Sequence, residues 1–120
     1  MATVSGHTSA IRAKKVIGTD VKDAAGRSMG KVEDIVLDKL SSNIMFAIIG
    51  FGGFLGIGEK YHPVPWSTLD YDETAGGYVV NMSKEELKAA PSYSMEELIK
   101  GDGTQFRDKV YDYYKAPRYW

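Results

Sequence analysis

Gly50-Phe51-Gly52-Gly53-Phe54-Leu55-Gly56-Ile57-Gly58-Glu59-Lys60-Tyr61-His62-Pro63-Val64-Pro65-Trp66 is the stretch whose reading decides the fold. Five glycines fall within residues 50–58, which suggests a phosphate cradle, but large apolar side chains stand between them. A Walker loop needs Gly, four residues, Gly, Lys, then Ser or Thr, so that amides and one lysine surround the phosphates. From Gly53 the second glycine falls correctly at Gly58, but Glu59 puts a negative charge next, and Lys60 comes a residue late with Tyr61 after it. The dinucleotide fingerprint fails as well, because its third glycine would have to be Leu55 or Tyr61. The stretch reads instead as a hairpin loop whose glycines take positive φ, running into a strand of a small β-barrel.

Pro63 and Pro65 sharpen this. Residues two apart in a strand aim their amides at the same neighbour, and proline has no amide proton. One side of the strand therefore lacks two successive donors, which predicts a sheet edge or a barrel seam. His62 beside them reads as a strand histidine, since metal sites need clustered ligands and the only other histidine is His7.

Upstream, Val16 to Asp23 reads as a strand, and Ala24-Ala25-Gly26-Arg27 as a turn. Lys31 to Leu37 alternates, with Glu33, Ile35 and Leu37 on one face and Val32, Asp34 and Val36 on the other. The run Ile44-Met45-Phe46-Ala47-Ile48-Ile49 is apolar on both faces, so it needs cover outside the barrel as well as inside. That cover is expected from the C-terminal helices or a second subunit. A further strand starts at Tyr78, after Gly76-Gly77.

The last third changes character. Ser83-Lys84-Glu85-Glu86 and Ser94-Met95-Glu96-Glu97 both spell capping boxes, with Pro91 between two short helices. Gly101-Asp102-Gly103 ends the second, Thr104 caps a third, and Phe106, Val110, Tyr113 and Tyr114 share its apolar stripe until Pro117. Arg118-Tyr119-Trp120 forms an aromatic end, and exposed tyrosine and tryptophan are common interface anchors.

Composition narrows the function classes. The 120 residues form one domain's worth of chain, with 43% hydrophobic and 26% charged residues, as in soluble globular proteins. There is no cysteine, which excludes disulfides, thiolate chemistry and cysteine-ligated metals. The basic N-terminal stretch lacks an apolar core, so no signal peptide is expected, no apolar run reaches membrane-span length, and the chain reads as cytoplasmic. Residues 1–18 hold three cations and no acid, residues 19–82 a net charge of −4, and residues 83–120 balance. An acidic central domain disfavours nucleic acid, whose phosphates call for a basic face.

Other motifs fail on context. Asp70-Tyr71-Asp72-Glu73-Thr74 matches the string of aspartyl phosphotransferases, but no βα alternation follows. As an EF-hand loop it has Ala75 in place of glycine and Asn81 in place of the bidentate glutamate, so solvated turn acids are the better reading. Asn81-Met82-Ser83 is a glycosylation sequon that matters only in a secreted eukaryotic protein, and no Ser/His/Asp set stands out. No catalytic residue, metal or cofactor is expected.

Val16-Ile17-Gly18-Thr19-Asp20-Val21-Lys22-Asp23, then Gly26, then Gly30-Lys31-Val32-Glu33-Asp34-Ile35-Val36-Leu37-Asp38, resembles the opening of the PRC-barrel family. Gly52 to Lys60 followed by Val64-Pro65-Trp66 is similar to that family's second signature, and the two together span residues 15–82. The family includes the cytoplasmic domain of the photosynthetic reaction-centre H subunit and the C-terminal domain of a bacterial 16S rRNA-processing factor. The resemblance implies a mainly β fold, a small antiparallel barrel, used for docking rather than catalysis. Neither the membrane helix of the first relative nor the N-terminal barrel of the second is read in these 120 residues, so neither specific role is expected to carry over.

The expected organisation is a flexible arm over residues 1–14, a barrel over 15–82 and a helical extension over 83–120. The expected function is a non-enzymatic, homodimeric adaptor that binds an unidentified protein. The alternative is a peripheral partner of a membrane-bound photosynthetic or electron-transfer complex. Phe51, Phe54, Leu55, Ile57, Tyr119 and Trp120 are the candidate partner contacts. The loop residues among them cannot all turn inward, because a barrel of this size has a filled interior.

Overall fold

A computed structural model describes residues 11–51, 60–72 and 74–120. A helical turn, α1 (Ala13–Val16), leads into β1 (Asp20–Asp23), β2 (Ser28–Asp38), β3 (Asn43–Phe51) and β4 (Lys60–Pro65). A 3-10 turn over Trp66–Thr68 connects to β5 (Asp70–Asp72) and β6 (Gly77–Val80), and three helices follow: α2 (Lys84–Ala89), α3 (Met95–Ile99) and α4 (Thr104–Tyr114). The fold is mainly β, as expected.

The six strands form one sheet in the order β4-β3-β2-β1-β6-β5. Neighbours run antiparallel except β1 and β6, which run parallel. The sheet is thus mostly antiparallel, as expected, but among the described residues no ladder joins β4 to β5 to close it into a barrel. The prolines supply the reason. Tyr61 donates from β4's outer side to the Tyr93 carbonyl at 3.1 Å and accepts from the Tyr93 amide at 2.9 Å. Pro63 and Pro65 face the same side two and four residues on, where they offer no donor.

The N-terminal boundary also differs. The strand read from Val16 starts at Asp20, because Val16 ends a helical turn over residues 13–16 and is buried in the core. Gly18, at φ +91°, then turns the chain so that its amide bonds the Val32 carbonyl at 2.7 Å. At Gly30, φ is +121° and an added Cβ would overlap the Gly50 carbonyl oxygen, so only glycine lets β2 approach β3 there.

The register between β2 and β3 slips twice, between Val32 and Asp34 and between Val36 and Leu37. These bulges break the simple alternation read for Lys31 to Leu37. Val32 and Ile35 end on one side of the sheet and Val36 on the other. The inner cluster joins Val16, Val21, Met29, Val32, Ala47, Ile49, Val64, Val80 and Leu87. The outer cluster joins Met45, Phe46 and Ile48 to Val110 and Tyr111, with Leu98, Phe106, Tyr114 and Tyr119 packed against it. The C-terminal segment of the same chain therefore covers the outer face of β3.

Both capping boxes form. Ser83 Oγ accepts from the Glu86 amide at 3.0 Å while Glu86 Oε1 accepts from the Ser83 amide at 2.9 Å, and Ser94 and Glu97 repeat the pattern at 3.1 and 3.0 Å. The third helix starts differently from the sequence reading. Gly103, at φ +89°, is its N-cap, and Thr104 is its first helical residue, with its amide donated to Asp102 Oδ1 at 3.0 Å. The apolar stripe keeps Phe106, Val110 and Tyr114 and widens on the side of Tyr111. Tyr111 is buried where Tyr113 was expected, and Tyr113 instead reaches across the surface to donate to the Glu86 carbonyl at 2.7 Å.

Candidate functional site

The glycine loop holds most of the sequence-predicted contacts. Phe51 pairs its backbone with Lys60, but its side chain, and Phe54, Leu55 and Ile57 entirely, lie outside the described residues. The two remaining candidates sit together at the other end of β3's outer cover. Tyr119 donates its hydroxyl to Asp38 Oδ2 at 2.6 Å, and Arg107 reaches the same oxygen from α4 at 3.3 Å. Asp38 Oδ1 accepts from the amides of Leu40 at 3.0 Å and Ser41 at 3.3 Å. The Tyr119 hydroxyl above all, with these amides, holds the Asp38 carboxyl below the ordinary carboxylate value. The Tyr119 phenol moves up, chiefly through burial and then through its bond to Asp38.

Trp120 lies between two guanidinium groups. The Arg107 carbon is 4.1 Å from the ring centroid and that of Arg118 is 5.2 Å, both within cation–π range. Arg118 is itself paired with Asp112 at 2.8 Å and Asp108 at 3.5 Å. Tyr111 meets the Trp120 ring edge-on at 4.8 Å and donates its hydroxyl to the Met45 carbonyl at 2.7 Å. Burial pushes the Tyr111 phenol up to about 12. Tyr119 is thus engaged within the chain, whereas Trp120 keeps 41% of its surface exposed.

The β2–β3 hairpin tip carries a feature that the sequence reading missed. Leu37 is 60% exposed and Leu40 99% exposed. The turn that presents them is well bonded: the Ser42 amide donates to the Asp38 carbonyl at 2.9 Å and Ser41 Oγ accepts from the Asn43 amide at 3.3 Å. The signal was present in Leu37-Asp38-Lys39-Leu40-Ser41-Ser42, because a leucine inside a tight turn between two strands has no interior to enter.

The remaining polar candidates have local structural roles. His62 is buried in β4; burial pushes its imidazole below the ordinary value of 6.5, while a hydrogen bond with the Pro91 backbone acts in the opposite sense. Asp72 Oδ1 accepts from the amides of Thr74 at 2.9 Å and Ala75 at 3.3 Å, which fits a turn acid. Among the described residues, no three metal-ligating side chains come together. No helix among them is long and apolar enough to cross a membrane.

A search of curated proteins finds no match to this chain. The family model for the PRC-barrel domain matches residues 9–87, which takes in β1 to β6 and the start of the helical segment. With that match over more than half of its length and a mainly β sheet built on the matched residues, the chain belongs to the PRC-barrel domain family.

Proposed function

We propose that this protein is a non-enzymatic docking module of PRC-barrel type that works as a homodimeric adaptor for another protein. The observation that carries the reading is the hairpin tip. Both sides of β3 are covered by the chain itself, yet Leu37 and Leu40 stand exposed on a firmly bonded turn. Clustered exposed apolar side chains on a rigid element mark interaction sites. Phe51, Phe54, Leu55, Ile57, Tyr119 and Trp120 complete the set of proposed contacts.

Replacing Leu37 and Leu40 together by serine tests this. The variant should melt within about 0.5 kcal/mol of the parent, as surface changes do, while sedimentation velocity shows weaker self-association. A parent protein that sediments as a monomer would overturn the homodimer, and a dimer unchanged by both this variant and Phe54→Ala would overturn these contacts.

A second reading rests on Trp120, half-exposed between Arg107 and Arg118, a pairing suited to a membrane surface. The protein would then be a peripheral partner of a membrane-bound complex. Sedimentation with vesicles containing anionic lipid, lost on Trp120→Ala, separates this reading from the first.

A further inference from the structure

A cleft of about 110 Å³ opens between the outer face of β2 and β3 and the α3–α4 corner. Its walls are apolar: Val36, Phe46, Ile48, Leu98 and Phe106. Two exposed acids also line it, Asp34 from β2 and Asp102 from the turn before α4. The register places them on the same side. Asp34 stands opposite Ile48, and Val36 opposite Phe46, so the acid continues the row that forms the apolar wall.

Both carboxylates are oriented by one oxygen. Asp34 Oδ1 accepts from the Ile35 amide at 2.8 Å, and Asp102 Oδ1 accepts from the Thr104 amide at 3.0 Å and from its hydroxyl. Neither forms an ion pair among the described residues. The nearest cation acting on Asp102 is Arg107, whose guanidinium is already committed to Asp38 and Trp120. The cleft thus offers an apolar channel with unneutralised negative charge beside it.

We propose that this cleft takes the side chain of a lysine presented by a partner protein, with the methylenes against Val36, Ile48 and Phe106 and the ammonium between Asp34 and Asp102. At about 110 Å³ the cleft has room for a single unbranched side chain. The charge selects the occupant, because an anionic or neutral chain would leave the two carboxylates without a counter-charge. Arginine fits less well, since its planar fork favours bidentate pairing and stacking over a narrow channel. The inference rests on the docking reading above and names the partner's chemistry: a basic segment meeting Asp34 of β2 and Asp102 of the turn before α4.

The test uses the full-length protein and n-butylammonium, which reproduces the lysine side chain, with n-butanol as its neutral counterpart. Amide NMR should show saturable shifts at Ile48, Gly103 and Phe106 with the amine and weaker binding of the alcohol. Asp34→Asn and Asp102→Asn should each lower the amine's affinity about two- to fivefold, the range of an exposed ion pair, and leave the alcohol's unchanged. Circular dichroism checks that both variants fold. Equal affinity for amine and alcohol, absence of shifts at these amides, or affinity unchanged in both variants would overturn the lysine assignment. If that happens while the Leu37 and Leu40 variant still dissociates, docking stands and only the cleft's role falls.

Discussion

The inner and outer apolar clusters share strand β3 but are built from different chemistry. The inner one is mostly aliphatic, drawn from β1, β2, β3, β4 and β6 and capped by Val16 and Leu87, with an aromatic corner at Tyr78, Trp66 and Tyr71. The outer one is aromatic and threaded with polar contacts: Tyr111 to the Met45 carbonyl, Tyr119 and Arg107 to Asp38, Arg107 to Trp120. Aliphatic packing has no directional bond to lose, so the inner cluster yields mainly to changes in volume. The outer cluster depends on single bonds between elements far apart in sequence, which makes it the side that removing one polar group can loosen.

Removing residues 104–120 sets the upper limit of that contrast. It strips Val110, Tyr111 and Tyr114 from Phe46 and Ile48, and the expected outcome is aggregation or unfolding, read by light scattering and a melt. A soluble truncated chain with the parent's melting temperature would show that the outer cluster contributes nothing to the fold.

Next in size is a matched pair of substitutions. Met29→Ala, in the inner cluster, should cost about 2–5 kcal/mol through the cavity that it leaves. Tyr111→Phe, in the outer one, should cost about 1–2 kcal/mol, because it leaves the buried Met45 carbonyl without its donor. Denaturant titrations decide. A larger loss from Tyr111→Phe would reverse the ranking of the two clusters.

The smallest expected effect is with pH, and it separates the regions by window. Burial lowers the His62 value below 6.5, so the unfolded chain binds a proton that the folded chain excludes. Its contribution is therefore complete above pH 6.5 and is lost as pH falls below that value. Asp38, lowered first by the Tyr119 hydroxyl, contributes above pH 3.8 and loses its contribution only as pH falls further. Melts between about pH 8 and about pH 3 should show two successive declines, and Asp38→Asn should make the lower one shallower, with Asp23, Glu97 and Asp102, which are also lowered, carrying the rest. A single decline unchanged by Asp38→Asn would mean that the outer latch does not discharge separately.

What was legible in the sequence was local. The two capping boxes form because serine and glutamate three residues apart need only each other's backbone. Pro63 and Pro65 marked a sheet edge because a missing amide proton is a property of the residue itself. The doubly apolar run of β3 declared a need for cover on both sides. Other features were hidden. The slips at Val32/Asp34 and Val36/Leu37 depend on how two strands coil against each other, and no residue in β2 spells them. Tyr113 and Tyr111 are chemically equal choices for the stripe of α4, and the position of Glu86 on another helix helps to separate them.

The site divides in the same way. Tyr119 and Trp120 could be singled out as aromatic residues near the chain's end, but not the carboxylate 81 residues away that holds Tyr119. The exposed tip at Leu37 and Leu40 needed the turn to be located first. By itself the sequence determined the family, the mainly β class and the starts of α2 and α3, since these follow from residue spacing and from contacts within one helical turn. Only the tertiary structure decided that β1 lies parallel to β6, that the chain's own last helix covers β3, and that an apolar cleft opens beside Asp34 and Asp102. Those depend on contacts between segments distant in sequence, which are selected by shape and burial in competition with every other packing and leave no fixed spacing to read.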